Sequence, residues 1–406
     1  MMSNKKKILL VTHQFIPHVS PRTTRWSILC DQLTSRGHQV TIITGTKQDE
    51  QKNYKVLYFG SHNIGKFIDN TRKASIHSEK SNVINKLFFT LIKKVYRFFF
   101  RTFAWPDYSM FWLFTIYRHR KDIPEYDLLI SVSLPFTSHV AAYLINKKKG
   151  KKWIMDIGDP FYLKNAAPEN NKYIFSYLNK YSENKFYQTA DRVMFTHRES
   201  LKHHNDSFPV LSTKAIVLPP VFNVINKVQC EKFDFNKRPL KIAYFGIFTH
   251  GVRDPSNFLI YIDNINLDIE IHWYVNEDTK QMIKNSSKNN INNIFHNLIP
   301  REEALSLMIE QYHALLSIGN TNPFQLPSKI VEYISTGKPI IHFSEIENDP
   351  VEEVLNKRSN SIILCENRAL EEIKKEIKEK LFIETDMTSV KSYSSESVAD
   401  KLEQII

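Results

Sequence analysis

The sequence predicts an α/β protein of two domains, each a parallel sheet wrapped by helices. Three observations predict it. The 406 residues exceed one ordinary domain, which runs to roughly 100–200 residues. Short β-rich runs alternate with helical runs through both halves, the pattern of a parallel sheet with crossover helices. A polar, Lys/Asn-rich stretch from Asn223 to Arg238, closed by Pro239, separates two cycles of that alternation and reads as a linker.

In the first cycle, Ile8–Thr12 reads as a strand, Pro21–Arg36 as a helix and Val40–Thr44 as a strand. Then come a strand at Leu128–Val132, a helix around Ser138–Asn146, and strands at Trp153–Asp156, Arg192–Thr196 and Ala215–Leu218. The second cycle opens with a strand at Lys241–Phe245, a helix at Asp254–Asp263 and a strand at Ile269–Val275. It continues with a helix at Glu302–Gln311, a strand at Ala314–Ile318, a helix at Ser328–Thr336, and strands at Pro339–Phe343 and Ser361–Cys365. The expected limits are 1–225 and 239–390 for two Rossmann-like domains, with a linker at 226–238 and a C-terminal helix at 391–406. Sheets of this class bind ligands at the carboxyl ends of their strands, so the expected site is a central cleft faced by both.

Composition narrows the function. With 42% hydrophobic and 24% charged residues, the chain is that of a folded protein. The net charge of +12 suits polyanionic or membrane-surface partners. No nucleic-acid-binding motif accompanies it, so nucleic acid is not the expected partner. Cys30, Cys230 and Cys365 stand far apart, which fits a reducing cytoplasm and neither a zinc site nor a disulfide framework. The basic start precedes only a short apolar run, read as a buried strand and not as a signal peptide. No run approaches the about 18 apolar residues of a membrane span.

Candidate site residues cluster after strands. His13 opens the loop behind the first strand, and Ser20 and Pro21 suit the N-cap and first position of the helix that follows. Arg22 and Arg25 then fall in its first turn. A cation there is unfavourable by roughly 0.3–1 kcal/mol unless an anion offsets it, and helix N-termini take up phosphate or carboxylate readily. A neighbouring acid would serve equally well. Asp156 and Asp159, around Gly158, end the next buried strand and could orient a sugar hydroxyl; Asp159-Pro160 is also an ordinary turn.

In the second half, Gly246 follows the first strand and permits close approach of a phosphate. Asp254 and Pro255 suit an N-cap and first helical residue, which puts Arg253 at a helix mouth. Further on, Ser328 reads as the cap of a helix with Lys329 in its first turn and Glu332 on the same side. A carboxylate so placed can accept both ribose hydroxyls, although a solvated Lys–Glu pair is the plain alternative. Gly337 and Pro339 end that helix and open the next strand.

These residues resemble the family 4 glycosyltransferases of GT-B fold, in the branch that builds bacterial surface polysaccharides such as capsule and O-antigen. The resemblance covers most of the chain. It rests on the Pro17-to-Arg25 loop, the run LTSRGHQVTIIT at 33–44, Pro106-Asp107, YDLLISVSLP at 126–135 and the Asp156–Pro160 turn. PSKIVEY at 327–333, followed by GKP at 337–339, is its most specific part. It implies a retaining glycosyltransferase, hexosyl- or N-acetylhexosaminyl-type, that takes a sugar from a nucleotide-sugar donor, a UDP-sugar, without a metal or other cofactor. Glu332 would hold the donor's ribose and Arg253 and Lys329 its diphosphate, Gly246 would line it, and Ser328 would belong to the same donor site. The first domain would bind a lipid-linked or glycan acceptor through His13, Arg22 and Arg25, with Asp159 as the candidate catalytic residue. The sequence departs from the family pattern at Phe324, where many members carry a first acidic residue, and at Val19-Ser20, where many carry Gly-Gly. A nucleotide-sugar epimerase of the same fold and a non-catalytic nucleotide-sugar-binding subunit are the alternatives.

Residues Asn85–Arg101 suggest a membrane-facing helix. Lys86, Lys93, Lys94, Arg97 and Arg101 share an arc of about 100° against an apolar face that includes Phe98. That pattern suits binding beside anionic lipid, and implies a cytoplasmic enzyme, peripheral on the inner leaflet. Packing of the same face onto its own domain is the alternative.

Overall fold

The computed structural model describes residues 5–406 except 19, 48–51, 61–101, 166–167, 223–238, 249–250, 266, 288–290, 324–325 and 384–390. Linker 226–238 and the expected membrane helix, with Lys93, Lys94, Arg97 and Phe98, therefore lie outside the described residues.

The chain forms two compact units. The first comprises Met1–Thr196, Leu201–Leu218 and Lys401–Ile406, the second His197–Ser200 and Pro219–Asp400. In chain order the first unit contains β1 (Lys7–Val11), α1 (Pro21–Ser35), β2 (Gln39–Thr44), β3 (Lys55–Tyr58), α2 (Trp112–Arg118), β4 (Leu128–Val132), α3 (Thr137–Asn146), β5 (Lys152–Ile157), α4 (Lys172–Thr189) and β6 (Arg192–Phe195). Helix α5 (Arg198–Ser207), the short α6 (Leu211–Lys214) and β7 (Ala215–Val217) follow. The strands form one seven-stranded sheet in the order β3-β2-β1-β4-β5-β6-β7, and every pairing is parallel. Strands buried on both faces read as continuous apolar runs, and β4, LLISV, is buried at every position.

The second unit repeats the plan with β8 (Leu240–Phe245), α7 (Ser256–Asp263), β9 (Ile269–Tyr274), α8 (Glu277–Ser286), β10 (Asn292–His296), α9 (Arg301–Glu310) and β11 (Ala314–Ile318). After these come α10 (Ser328–Ser335), β12 (Ile340–Phe343), α11 (Pro350–Leu355), β13 (Ser361–Leu364), α12 (Leu370–Lys380) and α13 (Ser395–Ile405), which passes to the first unit at Lys401. Its six strands run in the order β10-β9-β8-β11-β12-β13, again all parallel. Both units are Rossmann-like, as expected. In each order the chain reverses direction across the sheet at one place, between β1 and β4 and between β8 and β11, and ligands bind outside the carboxyl ends of strands at such switch points.

Several expectations need correction. The edge strands β3 and β10 escaped the sequence reading, because both are half-exposed with few fully apolar positions. Ser20 does cap α1, accepting from the Thr23 amide while the Thr23 hydroxyl accepts from the Ser20 amide, and Pro21 is its first residue. At α7 the N-cap is Pro255, one residue later than expected, although Asp254 Oδ1 still accepts from the Ser256 amide at 2.9 Å. At α10 the N-cap is Pro327, and Ser328 is the first helical residue.

Candidate functional site

At the carboxyl edge of the first sheet, α1 and β5 meet through two acid–base pairs with opposite characters. Arg25 is buried. Its guanidinium lies 3.3 Å from Asp156 Oδ1 and donates to the Leu218 carbonyl at 2.9 Å. Asp156, also buried, accepts from Trp26 Nε1 at 2.6 Å. The anion that offsets Arg25 is therefore a carboxylate of the core. Arg25 is no open phosphate-binding group, and Asp156 is not turned outward. Arg22 differs: it pairs with Asp159 where both side chains remain partly exposed. Gly158 makes the approach possible, since a Cβ there would stand 2.6 Å from Arg22 Nε.

His13 sits at the end of β1. Its amide donates to Ser138 Oγ of α3 at 3.0 Å, and its ring meets the edges of Tyr108 and Trp112 at centroid distances of 5.9 and 5.2 Å. Gly45 leaves room for that ring, for a Cβ there would lie 2.8 Å away. Tyr108, which the sequence reading passed over, is exposed and bonded to Gln14 Nε2. It is placed by Asp107, whose carboxylate accepts from the Thr137 amide and hydroxyl at 2.9 and 2.7 Å and from Ser109. A carboxylate at the start of α3 also suits the positive helix end.

In the second unit, Gly246 ends β8 with φ of 148°, a conformation L side chains rarely adopt. Arg253 is fixed nearby. Its Nε and Nη2 donate to Asn320 Oδ1 at 3.1 and 2.8 Å, and its Nη1 lies 3.3 Å from the Tyr244 hydroxyl. Asn320 follows β11 and Tyr244 belongs to β8, so Arg253 spans the switch point. Backbone bonds zip the two loops together, with the Thr321 amide donating to Val252 O at 2.8 Å.

Helix α10 docks on the same strand end. The Tyr333 hydroxyl accepts from the Phe245 amide at 2.9 Å. Burial pushes that hydroxyl far above its ordinary range; the nearby Tyr244 and Glu332 act in the same sense, against the Phe245 amide and Arg253. Glu332, half-buried, is shared by two cations: Lys329 Nζ at 2.8 Å and Arg301 Nε at 2.8 Å. Lys329 thus faces Glu332 itself, the plain pair foreseen as the alternative. Arg301 is new, although its position was readable, since it follows a strand and Pro300 at the first turn of α9, the placement used to single out Arg22 and Lys329.

The structure thus joins Arg22 to Asp159, and Lys329 to Glu332. It gathers Gly246 and Arg253 about Tyr244, and gives Arg25 to the core. Among the described residues no three His, Cys, Asp or Glu side chains gather as metal ligands.

No family model matches the sequence, and no curated protein matches it significantly. Solved structures do resemble the whole chain. A crystal structure of Anabaena HepE in complex with UDP-glucose covers 99% of this chain and 99% of its own, at 10% identity and a TM-score of 0.59. TarM covers 100% and 99% at 10% identity, with a TM-score of 0.62. The lipopolysaccharide outer core galactosyltransferase WaaB, in its apo form, covers 98% and 98% at 12% identity and 0.59. The fold of this chain is theirs: GT-B, two Rossmann-like domains with parallel sheets.

Proposed function

We propose that this chain is a retaining glycosyltransferase, with affinities to family 4, that moves a sugar from a nucleotide-sugar, a UDP-sugar, to a lipid-linked or glycan acceptor in surface-polysaccharide assembly at the cytoplasmic face of a membrane. The observation that carries the reading is the cationic end of the second sheet. Arg253 is held across the β8–β11 switch point beside Gly246, and Lys329 from the first turn of α10 and Arg301 from the first turn of α9 converge on Glu332. A diphosphate needs fixed positive charge as it leaves, and a glycine allows its oxygens close to the backbone. The full-length likeness to a protein crystallised with UDP-glucose supports the same reading.

Glu332 need not surrender its cations to hold a ribose. Each carboxylate oxygen has two lone pairs, so the sugar hydroxyls can add to the bonds from Lys329 and Arg301. In the first unit, His13 and Arg22 stand as acceptor-binding groups and Asp159 as the group that orients a reacting hydroxyl. Arg25 passes from binding to support, because it fixes the strand end from which Asp159 projects.

A thermal-shift comparison of UDP-, GDP-, dTDP- and CMP-sugars tests the donor, because a ligand that binds only the folded form raises apparent stability. UDP-glucose is expected to stabilise the protein. Arg253→Ala and Glu332→Ala should each weaken its binding about tenfold or more, the loss of a charge-assisted hydrogen bond. A folded protein that ignores every nucleotide-sugar, or variants that bind UDP-glucose as the parent does, would falsify the proposal. Product analysis with and without acceptor separates transfer from epimerisation of the donor alone.

A further inference from the structure

We infer that the outer face of α4 is a docking surface for an anionic lipid bilayer. Helix α4 buries one side on its own sheet through Asn179, Ser182, Glu183, Phe186 and Tyr187. The polar groups Asn179, Ser182 and Glu183 are on that buried side, while the outer side carries a run of large apolar and aromatic residues. Tyr173, Tyr177 and Tyr181, spaced one turn apart, are exposed by 102%, 84% and 54%, and Ile174 and Leu178 lie beside them in the open. A surface helix ordinarily turns charged and polar residues to water, and contiguous exposed apolar patches mark interaction sites. Here the pattern is inverted, with five large apolar or aromatic side chains outward and Asn179, Ser182 and Glu183 inward, so the outer face is suited to a second apolar medium.

Charge identifies the medium. The only carboxylate on α4 is Glu183, which is fully buried. The exposed arc is flanked by Lys180 and Lys185, both exposed, with Lys185 Nζ 6.0 Å from the Tyr181 ring. Tyrosine, with an apolar ring and a polar tip, favours the headgroup level of a bilayer, and lysines carry their stems through apolar surroundings to reach anionic headgroups. A second copy of the chain suits the face less well. An isologous contact would set the same lysines against one another, and like charges there are repulsive.

The position gives the surface a use. Helix α4 follows the loop that carries Asp159 and leads back to the parallel strand β6, so it starts on the carboxyl side of the sheet with Tyr173 in its first turn. The exposure pattern stands by itself; delivery of a lipid-linked acceptor to that side rests on the function proposed above.

Vesicle sedimentation of the full chain tests the inference, with phosphatidylglycerol-containing vesicles set against pure phosphatidylcholine. The parent protein is expected to prefer the anionic vesicles and to be released by salt. Exchanging Tyr173, Tyr177 and Tyr181 together for Ser should lower partitioning at least about tenfold, and Lys180→Glu with Lys185→Glu should abolish the anionic preference. UDP-glucose binding and thermal unfolding, followed in the same samples, should stay unchanged, which keeps failure of this surface distinct from failure of the donor site. The inference is overturned if the parent ignores both vesicles or if the triple variant sediments like the parent. It is equally overturned if the variant instead loses a concentration-dependent dimer, which would make the face a contact between copies. As a second reading of the same contact, Tyr177→Trp should add to the emission of the five native tryptophans a component that brominated lipid quenches; a vesicle-bound variant quenched no more than the parent counts against it.

Discussion

Asp156 and Asp159 stand at the end of one strand, yet their surroundings give them different chemistry. Asp156 is closed in by Trp26 and Arg25 and acts as a peg between β5 and α1. Asp159 stays partly open with Arg22. A third acid, Glu183, controls the loop between them and α4. It is fully buried and accepts from the Tyr162 amide at 3.0 Å and the Tyr187 hydroxyl at 2.6 Å. Burial raises its carboxyl to about 7 from 4.5, against the hydrogen bonds of Tyr187, Tyr162 and Phe161 and the charge of Lys172. Across that window the folded protein holds a proton that the unfolded chain has released. Stability contributed by this group is therefore complete below the unfolded value and is lost as pH rises through about 7. Glu183→Gln should flatten this part of the pH profile and exceed the parent in stability above it, by an amount on the order of 3 kcal/mol. Urea midpoints taken at the two ends of the window check this; equal slopes in parent and variant would show that Glu183 does not titrate there.

At the scale of elements, helix entries decide where the functional side chains stand, and entries are where sequence reading was both strongest and weakest. Ser20 and Pro21 announce α1 in the sequence, and the structure builds the reciprocal cap with Thr23. Ser20→Ala should cost about 1 kcal/mol of stability and should also loosen Arg22, which sits in the first turn, so the variant's unfolding midpoint and its acceptor affinity should fall together. A variant of unchanged midpoint would show that the cap contributes nothing. The register of α7 and α10 was misread by one residue because Pro occupies the cap itself in both, and Pro was expected one position later or Ser in its place. Buried strands were legible because a parallel sheet excludes water from both faces; β3 and β10 have no fully buried position and were not, whereas the edge strands β7 and β13 keep the apolar runs AIV and IIL. Lys329 and Glu332 were legible as a pair three positions apart, but the long-range pairs were invisible for a different reason. Arg25 and Asp156 lie 131 positions apart and Arg301 and Glu332 lie 31 apart, and only the crossover topology brings them together.

Across the whole molecule, the repetition of one α/β plan was plain in the sequence, but the way the chain shares itself between its two units was not. The C-terminal segment was expected as a helix of its own, whereas the last residues of α13 belong to the first unit, more than 180 positions after its other strands end. Local pattern cannot reveal this, because an amphipathic helix shows that it has an apolar face and not which core receives it. The attachment is specific. Leu402 is fully buried and Ile406 nearly so; Glu403 accepts from Arg36 at 2.9 Å and meets His38 Nε2 at 3.0 Å, and Lys152 Nζ donates to the Ile405 carbonyl at 2.8 Å. Lysines at a helix C-terminus also suit its negative end. Deleting Lys401–Ile406 should therefore destabilise the first unit by about 3 kcal/mol or more, the scale set by loss of one buried leucine. The tryptophans allow the units to be read apart, since Trp26, Trp105, Trp112 and Trp153 lie in the first and Trp273 in the second. In a Trp273→Phe background the fluorescence transition of the truncated chain should move to lower urea. Stabilisation by UDP-glucose, whose proposed site lies in the second unit, should persist in folded protein. A truncated chain whose first-unit midpoint does not move would mean that the tail rests on that unit without holding it.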